Sequence, residues 1–272
     1  MKLITAQNAS IPALGLGTYQ LVGDANVDLM VYALESGYRH LDTAQMYQNE
    51  EEVGKAIKYA TIKREDIFLT TKVLPANLGK ATFMPSVEES LKKLQTEQVD
   101  LLLIHWPNFD FELEEYMTEL MAAQEKGYAK HIGVSNFPVA LLEESLKMGA
   151  KIVANQVEYH PFLNQSKLLT ACQKNDIVLT AYSPIAQGKV MGHALMKEIG
   201  EKYGKTEAQV SLRWLIQQEK VAAIPRSSKK ERVDGNAAIF DFELTEEEMD
   251  SLSQIYLPDG RLVDPPNGPD WD

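Results

Sequence analysis

The sequence is short of cysteine and of long apolar runs, and each shortage excludes a class of protein. One cysteine, Cys172, stands among 272 residues, so neither an intramolecular disulfide nor a cysteine-based metal site can form. No apolar run approaches the roughly 18 residues that a membrane-spanning helix needs. Residues 1–17 lack the apolar stretch of a signal peptide. We therefore expect a soluble, cytoplasmic protein with no membrane partner.

Basic residues are also scarce, because 27 lysines and arginines oppose 39 aspartates and glutamates and leave a formal net charge of −12. Such an acidic surface repels phosphate backbones, so we expect no nucleic-acid partner. The five histidines are scattered without the spacing of a zinc site, so we expect no metal. A hydrophobic share of 44% and a charged share of 24% are typical of an ordinary globular protein and exclude wholesale disorder.

Short apolar runs rich in β-branched residues alternate with longer stretches of helical spacing. The strand candidates are residues 13–17, 38–42, 67–71, 99–104, 131–135, 152–156, 177–182 and 221–225. The helix candidates include residues 27–37, 85–95, 112–127, 138–149, 164–175 and 206–220. Continuous apolar strands joined by helices indicate a parallel sheet covered on both faces. Eight units in about 250 residues predict an α/β protein with a single (β/α)₈, or TIM, barrel; a doubly wound sheet is the alternative.

The two ends of the chain stand outside this alternation. No linker or composition shift divides the sequence, so residues 1–272 are interpreted as one domain. We predict a small hairpin over residues 1–12 that plugs the bottom of the barrel. Residues 257–272 form a short C-terminal tail, and its part 261–272 contains three prolines, which exclude a regular element. This part is either a disordered end or an ordered flap over the site.

Polar residues follow most of the predicted strands, where a barrel carries its chemistry. They are Asp42, Lys72, His105, Asn136, Gln156, Tyr182 and Arg226. A purely structural barrel needs no polar group at every one of these positions, so their convergence favours a functional site. Each one still has a structural interpretation: a buried histidine satisfied by backbone, a Lys72–Asp42 ion pair, or packing for the nearby aromatic Tyr47. Glu50, Glu51 and Glu52 resemble first-turn carboxylates of a helix.

A basic cluster stands out in an otherwise acidic chain. Residues 226–232 hold Arg226, Lys229, Lys230 and Arg232, just after the eighth predicted strand. Barrel loops at this position commonly bind phosphate, and the alternative is a solvated helix face. A Rossmann-type dinucleotide site is weakly supported, because Gly15-Leu16-Gly17 lacks the third glycine of that fingerprint.

Four separated stretches resemble the aldo-keto reductase family. GYRHLDTAQMYQNEEEVG (37–54) resembles its first signature, and IPRSSKKERVDGNAAI (224–239) resembles its C-terminal cofactor signature. LLIHWP (102–107) and HIGVSNF (131–137) match the fourth and fifth strand segments. Because these motifs agree in order and spacing, the resemblance is specific and covers the chain from about residue 11 to its end.

The resemblance implies a monomeric barrel that reduces small carbonyl substrates with NADPH and without a Rossmann fold. It implies the catalytic residues Asp42, Tyr47, Lys72 and His105, with Tyr47 as the proton donor and Lys72 lowering its pKa. Asp42 would keep Lys72 charged, and His105 would donate a hydrogen bond to the substrate oxygen. The implied cofactor-binding residues are Gly17, Thr18, Ser135, Asn136, Gln156, Tyr182, Ser183, Arg226, Ser227, Arg232 and Asn236. Tyr19 and Trp106 would line the substrate pocket.

The sequence departs from the longer family members in ways that bear on the substrate. Tyr19 stands where many members have tryptophan, and Gly235 replaces a side chain that often contacts adenine. The loop 108–111 and the tail are short, which favours small or polar carbonyls. Two alternatives from other classes are a glycoside hydrolase that uses Asp42 and Glu158 as paired carboxylates, and a cofactor-binding regulatory protein that senses the nicotinamide redox state.

Overall fold

The first two strands pair into an antiparallel hairpin, in a computed structural model that describes residues 2–272. They are β1 (Leu3–Ala6) and β2 (Ala9–Pro12). The turn between them reaches the start of a later strand, because the Gln7 side chain donates a hydrogen bond to the carbonyl oxygen of Ile152 (2.8 Å). The hairpin therefore covers the N-terminal ends of the barrel strands, and the prediction of an N-terminal hairpin is confirmed.

Eight further strands form one parallel sheet whose spatial order follows the chain order. These strands are β3 (Leu16–Gly17), β4 (His40–Asp42), β5 (Phe68–Val73), β6 (Val99–Ile104), β7 (Ala129–Ser135), β8 (Ile152–Glu158), β9 (Val178–Tyr182) and β10 (Val221–Ala223). Nearly every residue of these strands is buried, as expected for a sheet covered on both faces. All eight fall within or beside the predicted runs.

The sheet closes on itself along a seam between its first and last strands. Leu14 and Gly17 form parallel bridges with Ala223 and Arg226. The Gly15 amide donates to the carbonyl oxygen of Ala223 at 2.9 Å. A Cβ atom at Gly17 would lie 2.7 Å from a backbone oxygen across this seam, so the close approach of the two strands requires glycine there. The closed parallel barrel confirms the predicted fold, and the doubly wound alternative is wrong.

Within residues 2–272, ten α-helices surround the barrel. They are α1 (Asp24–Glu35), α2 (Glu50–Tyr59), α3 (Phe83–Lys93), α4 (Leu113–Glu125), α5 (Val139–Lys147), α6 (Ser166–Lys174), α7 (Ala194–Tyr203), α8 (Glu207–Gln217), α9 (Lys230–Ala237) and α10 (Glu246–Ser253). Thr206 and Thr245 begin α8 and α10 with complete capping boxes. Gly37, Gly127 and Gly149 take positive φ values just after α1, α4 and α5, where the sequence predicts that helices end.

The C-terminal tail, residues 257–272, has no regular structure but is packed against the barrel. Its backbone amides at Leu262 and Val263 donate hydrogen bonds to Glu158, the last residue of β8. The ordered flap is thus the correct one of the two interpretations of residues 261–272. Within the described part of the chain, no helix has both the length and the apolar character needed to cross a membrane.

Candidate active site

Four polar side chains converge at the C-terminal ends of β4, β5 and β6. Asp42 ends β4, Lys72 lies near the end of β5, and His105 directly follows β6. Tyr47 ends a single 3₁₀ turn, Gln45–Tyr47, that follows β4. Lys72 Nζ donates hydrogen bonds to Asp42 Oδ1 (2.5 Å) and to the Tyr47 hydroxyl (3.3 Å). The Tyr47 and His105 ring centroids are 5.5 Å apart. The structure therefore brings these four residues together.

The 3₁₀ turn that carries Tyr47 is held by side chains that the sequence analysis did not single out. Gln45 Oε1 accepts hydrogen bonds from the Leu74 amide (2.8 Å) and from Asn77 Nδ2 (3.0 Å). Asn49, buried just after the turn, donates through Nδ2 to the carbonyl oxygen of Thr18 at 2.7 Å. These bonds tie the turn to the loops after β3 and β5, and they fix where the phenol points. No pattern in the sequence marks either amide.

Charge on Lys72 is maintained by Asp42. Lys72 is 0% exposed and Asp42 is 1% exposed. Burial disfavours the ammonium, but the Asp42 carboxylate and the Tyr47 oxygen together outweigh burial, so that the pKa of Lys72 lies above its ordinary value. The carbonyl oxygen of Thr43 accepts a further hydrogen bond from Nζ at 2.8 Å. A buried, fully paired ammonium thus stands beside the phenol.

Burial of the Tyr47 phenol changes its pKa more than the neighbouring Lys72 ammonium does. Burial raises the pKa of the Tyr47 phenol above its ordinary value of 10.0, and the Lys72 ammonium opposes that rise without reversing it. The Lys72 ammonium lowers the pKa of the phenol, in the predicted direction, but the net pKa still lies above the ordinary value. The physical reason is the desolvation that any phenolate would suffer at this depth. A phenol in this state keeps its proton at neutral pH.

His105 is a neutral imidazole in this setting. Burial lowers its pKa well below the ordinary 6.5, and the nearby Lys72 charge adds to that effect. Its Nδ1 is buried without a hydrogen-bond partner among the described residues. A neutral ring has one N–H to donate and no proton to transfer readily, so Tyr47 is the better proton donor of the two.

A chain of hydrogen-bonded side chains runs from Asp42 across the ends of β7, β8 and β9. Gln156 Nε2 donates to Asp42 Oδ2 (2.7 Å), and the Ser135 hydroxyl donates to the Gln156 carbonyl oxygen (2.7 Å). Asn136, in the left-handed conformation with φ 62°, accepts at Oδ1 from the Tyr182 hydroxyl (2.9 Å). These predicted cofactor residues share one rim with the four converging residues.

The loop after β3 lies beside the basic loop across the seam. Thr18 is buried, and its hydroxyl donates to the Asp42 carbonyl oxygen (2.9 Å). The neighbouring Tyr19 is 52% exposed, and its ring lies 5.1 Å from that of Tyr47. Arg226 Nε donates to the Tyr19 carbonyl oxygen at 3.2 Å. The C-terminal ends of β3 and β10 thus both border the site.

The basic cluster continues from this loop into α9. Ser227 is buried, and its hydroxyl accepts from the Lys229 amide at 3.1 Å. Arg232 is exposed and Asn236 is buried, both on α9. Neither Arg226 nor Arg232 lies within 4.0 Å of an acidic oxygen in residues 2–272, so both guanidinium groups are available to an anion from solution.

An apolar cavity of about 270 Å³ is bordered by Met46 and Trp106, the sequence neighbours of Tyr47 and His105. Its lining consists of Met46, Pro75, Trp106, Pro107, Val263, Pro265 and Asn267. Trp106 lies edge-on to Trp271 of the tail, with ring centroids 6.0 Å apart.

Ser183, at φ 48° after β9, lies in the turn that leads away from the rim. Among the described residues, no group of histidine, cysteine or acidic side chains has the arrangement of a metal site.

The two carboxylates of the glycoside hydrolase alternative are not available for catalysis. Asp42 is engaged by Lys72 and Gln156, and Glu158 is fully buried with both oxygens accepting hydrogen bonds. A retaining or inverting glycosidase needs two carboxyl groups that face the substrate. That alternative therefore fails on geometry.

Comparison with known proteins supports the resemblance found in the sequence. The Aldo/keto reductase family matches residues 13–257. The methylglyoxal reductase DkgB of Escherichia coli O157:H7 is 38% identical over 268 residues, which cover 97% of this chain and 100% of that protein. The glyoxal reductase of Bacillus subtilis (strain 168) is 41% identical over 247 residues, covering 90% and 89%. A crystal structure provisionally named a 2,5-diketo-D-gluconic acid reductase B superposes with a TM-score of 0.98 at 45% identity, covering 100% and 98%.

Sequence family, relatives and solved structures agree over nearly the whole chain. The matched region contains all the barrel strands and all four converging residues. Members of this family use a nicotinamide cofactor. The chain therefore belongs to the aldo/keto reductase family and is an oxidoreductase.

Proposed function

We propose that the protein reduces small aldehydes and ketones to alcohols with NADPH, and that Tyr47 supplies the proton. The observation that carries the proposal is the line of contacts from Asp42 through Lys72 to the Tyr47 hydroxyl, at the mouth of a closed barrel. A carbonyl that accepts hydride becomes an alkoxide, so a proton donor must stand beside its oxygen as charge develops.

Each of the four converging residues has one task in this scheme. The raised pKa keeps the proton on the Tyr47 oxygen until the substrate oxygen becomes basic. The Lys72 ammonium then stabilises the phenolate left behind, and Asp42 keeps that ammonium charged and in place. Neutral His105 donates a hydrogen bond to the substrate oxygen and orients it. The cofactor, when bound, supplies the hydride.

The rim residues fit a nicotinamide. Its carboxamide needs both donors and acceptors, and Ser135, Asn136 and Gln156 provide them at adjacent strand ends. Gln156 Oε1 accepts no hydrogen bond from residues 2–272, so an acceptor remains for an amide N–H. The half-buried Tyr182 ring would stack on the nicotinamide, while its hydroxyl is held by Asn136. We assign Gly17, Thr18 and Ser183 to the walls of the same cleft.

The choice of NADPH over NADH rests on the basic cluster. Arg226 and Arg232 have no acidic partner in the described chain, and charge-assisted hydrogen bonds to a 2′-phosphate are the contacts that such guanidinium groups make best. Ser227 lies between them in sequence, and Asn236 would lie near the adenine. We propose that this cluster reads the phosphate that NADH lacks.

Replacing Arg232 by alanine is expected to raise KM for NADPH roughly 10–100-fold more than KM for NADH, because one charge-assisted hydrogen bond is lost. The measurement is initial rate against each cofactor at saturating carbonyl. Lys230→Ala is the matched control, since its ammonium lies over the Tyr32 ring (4.8 Å from Nζ to the centroid) and points away. Equal weakening for both cofactors in Arg232→Ala would remove this loop from phosphate recognition.

The substrate class follows from the mouth of the barrel. The cavity is small and apolar, and its walls are the short loop around Trp106 and the short tail. We propose small 2-oxoaldehydes, keto sugars, keto acids and β-keto esters as substrates. The names of the relatives, methylglyoxal reductase and glyoxal reductase, support the 2-oxoaldehydes. We further propose that the protein acts as a monomer, because the residues assigned to the site all come from one chain, and that it works in the cytoplasm.

A direct assay tests the proposal. The protein is mixed with NADPH and a panel of carbonyls that includes methylglyoxal, and consumption of NADPH is followed by its absorbance. We expect turnover that depends on both components and is fastest for small substrates. Tight cofactor binding without turnover of any carbonyl would contradict the proposal and favour the regulatory alternative.

The pH dependence of kcat follows from two pKa directions. His105 stays neutral because its pKa is lowered, and Tyr47 keeps its proton because its pKa is raised. The reduction kcat is therefore expected to change less than about twofold between roughly pH 6.5 and pH 9. The check is kcat at saturating substrate and cofactor in buffers of constant ionic strength. A titration of kcat centred near the ordinary imidazole pKa would show that His105 takes up a proton in this range.

A further inference from the structure

Glu158 is a buried carboxylate that takes no part in the proposed carbonyl reduction. It ends β8 and is 0% exposed. Its Oε1 accepts hydrogen bonds from His160 Nε2 (2.9 Å) and from the Leu262 amide (2.9 Å), and its Oε2 accepts from the Val263 amide (2.9 Å). No lysine or arginine of residues 2–272 lies within 4.0 Å of its oxygens, although the Arg261 guanidinium is near enough for the two charges to interact. A buried carboxylate without hydrogen bonds is costly, so these bonds are what make its burial tolerable.

Two further contacts fix the tail, one before and one after the two residues that bind Glu158. Before these two residues, the Leu257 amide donates a hydrogen bond to the carbonyl oxygen of Phe162 at 3.0 Å. The approach is so close that a Cβ atom at Gly260 would stand 1.8 Å from the same oxygen. After residues 262 and 263, the Asp272 carboxylate accepts a hydrogen bond from the Val139 amide, at the first residue of α5 (3.0 Å). The tail is thus held at both ends.

Between these anchors the tail forms part of the pocket. Val263, which is bonded directly to Glu158 through its amide, lines the apolar cavity. Trp271 lies between the Arg261 guanidinium, 3.6 Å from its ring centroid, and the ring of Trp106. Trp106 is the neighbour of His105 in the sequence. The position of the tail therefore determines one wall of the space in which a substrate meets His105.

We propose that Glu158 is a positioning residue for substrate binding: its carboxylate holds residues 262 and 263 and makes the tail a fixed wall of the substrate pocket. The structural part of this proposal stands alone, and its kinetic part rests on the proposed carbonyl reduction. Loss of the acceptor frees the tail, weakens binding of substrates that reach the wall, and leaves the proton donor in place.

Limited trypsin digestion tests the structural part without any turnover. The amide nitrogen of the Arg261–Leu262 bond is the one that donates to Glu158, so the bond is protected while the tail is docked. We expect Glu158→Met to be cut there at least about tenfold faster than wild type, giving a single product that lacks residues 262–272. Glu125→Met, at an exposed carboxylate that ends α4, is the control and should stay protected.

Glu158→Gln separates hydrogen-bond acceptance from packing. Its amide oxygen, at the Oε2 position, can still accept from the Val263 amide (2.9 Å) and the Leu262 amide (3.1 Å). Its NH₂ can then face His160 Nε2, because the unpartnered His160 Nδ1 can take the ring proton. We expect Glu158→Gln to remain protected from trypsin. If it is cut as fast as Glu158→Met, or if Glu158→Met is cut no faster than Glu125→Met, the proposal is overturned.

Hydrogen exchange in the wild-type protein keeps the proposal testable where the methionine variant does not fold. The Leu262 and Val263 amides are expected to exchange at least about a hundredfold more slowly than in a free peptide, because both are hydrogen-bonded to a buried acceptor. Exchange at the free-peptide rate would mean that the tail is not held by Glu158.

The kinetic part is tested with phenylglyoxal, a 2-oxoaldehyde whose phenyl ring offers an apolar group to the tail wall. Glu158→Met is expected to raise its KM about tenfold, with kcat and the KM for NADPH within about twofold of wild type. Trp271→Ala should raise the same KM, and the two changes together should give less than the product of the separate effects. Fully multiplicative effects, or a loss confined to kcat, would overturn the role of the tail as a wall. Absence of turnover in wild type would instead contradict the proposed function and leave the trypsin result standing.

Discussion

Replacing Tyr47 by phenylalanine is expected to lower kcat for carbonyl reduction about 10²–10⁴-fold, the usual contribution of a positioned general acid. The change removes only the hydroxyl, which lies 3.3 Å from Lys72 Nζ. KM for NADPH should stay near that of wild type, because the residues assigned to the cofactor lie elsewhere on the rim. Steady-state kinetics measure kcat and KM, and a thermal melt of the same preparation checks that the variant is folded.

Tyr19→Phe is the matched control for this experiment. Its ring lies 5.1 Å from that of Tyr47, but its side chain is largely exposed at the mouth. Removing its hydroxyl should change kcat by less than about threefold. Near-wild-type kcat in Tyr47→Phe would remove Tyr47 from the proton-donor role and reopen His105 as the donor.

Replacing Lys72 by methionine is expected to have the largest effect on stability. The ammonium is fully buried, and its loss leaves the Asp42 carboxylate buried with Gln156 as its remaining side-chain donor. Breaking one partner of a buried ion pair costs about 3–5 kcal/mol in free energy of unfolding. Activity should fall as well, because the Tyr47 phenolate loses its stabilising charge. Denaturant unfolding followed by tryptophan fluorescence measures the first effect.

The double variant Asp42→Asn with Lys72→Met separates stability from chemistry. It leaves no unpaired charge in the interior, so we expect it to recover most of the free energy of unfolding that Lys72→Met loses. It should not recover kcat, since the ammonium beside the phenol is still missing. Recovery of both quantities together would show that Lys72 acts only through folding.

The barrel and the four converging residues were predictable because they depend on local signals that repeat. Eight apolar, β-branched runs specify buried parallel strands, and strand ends converge in any closed barrel. Asp42 and His105 could thus be assigned to one rim before their contacts were known. Helices α2, α7, α9 and α10 lie outside the candidate helix ranges, although Glu50, Glu51 and Glu52 of α2 were interpreted as first-turn carboxylates.

What the sequence did not predict depends on burial and on contacts between distant residues. The rise in the Tyr47 pKa comes from desolvation, which no motif encodes. Gln45 and Asn49 act through side-chain amides whose partners lie far along the chain. Glu158 was considered only as one of a pair of catalytic carboxylates. Its actual partners, Leu262 and Val263, are more than a hundred residues away.

The barrel seam determines how long a newly synthesised chain stays incomplete. Leu14 precedes its partner Ala223 by more than two hundred residues, so the two can pair only after that whole stretch has been translated. Until then the outer edge of β3 has unpaired amides and carbonyls, which form a template for the strands of other chains. The risk of aggregation is therefore greatest for the nascent protein. This risk falls once β10 pairs with β3 and the barrel is closed.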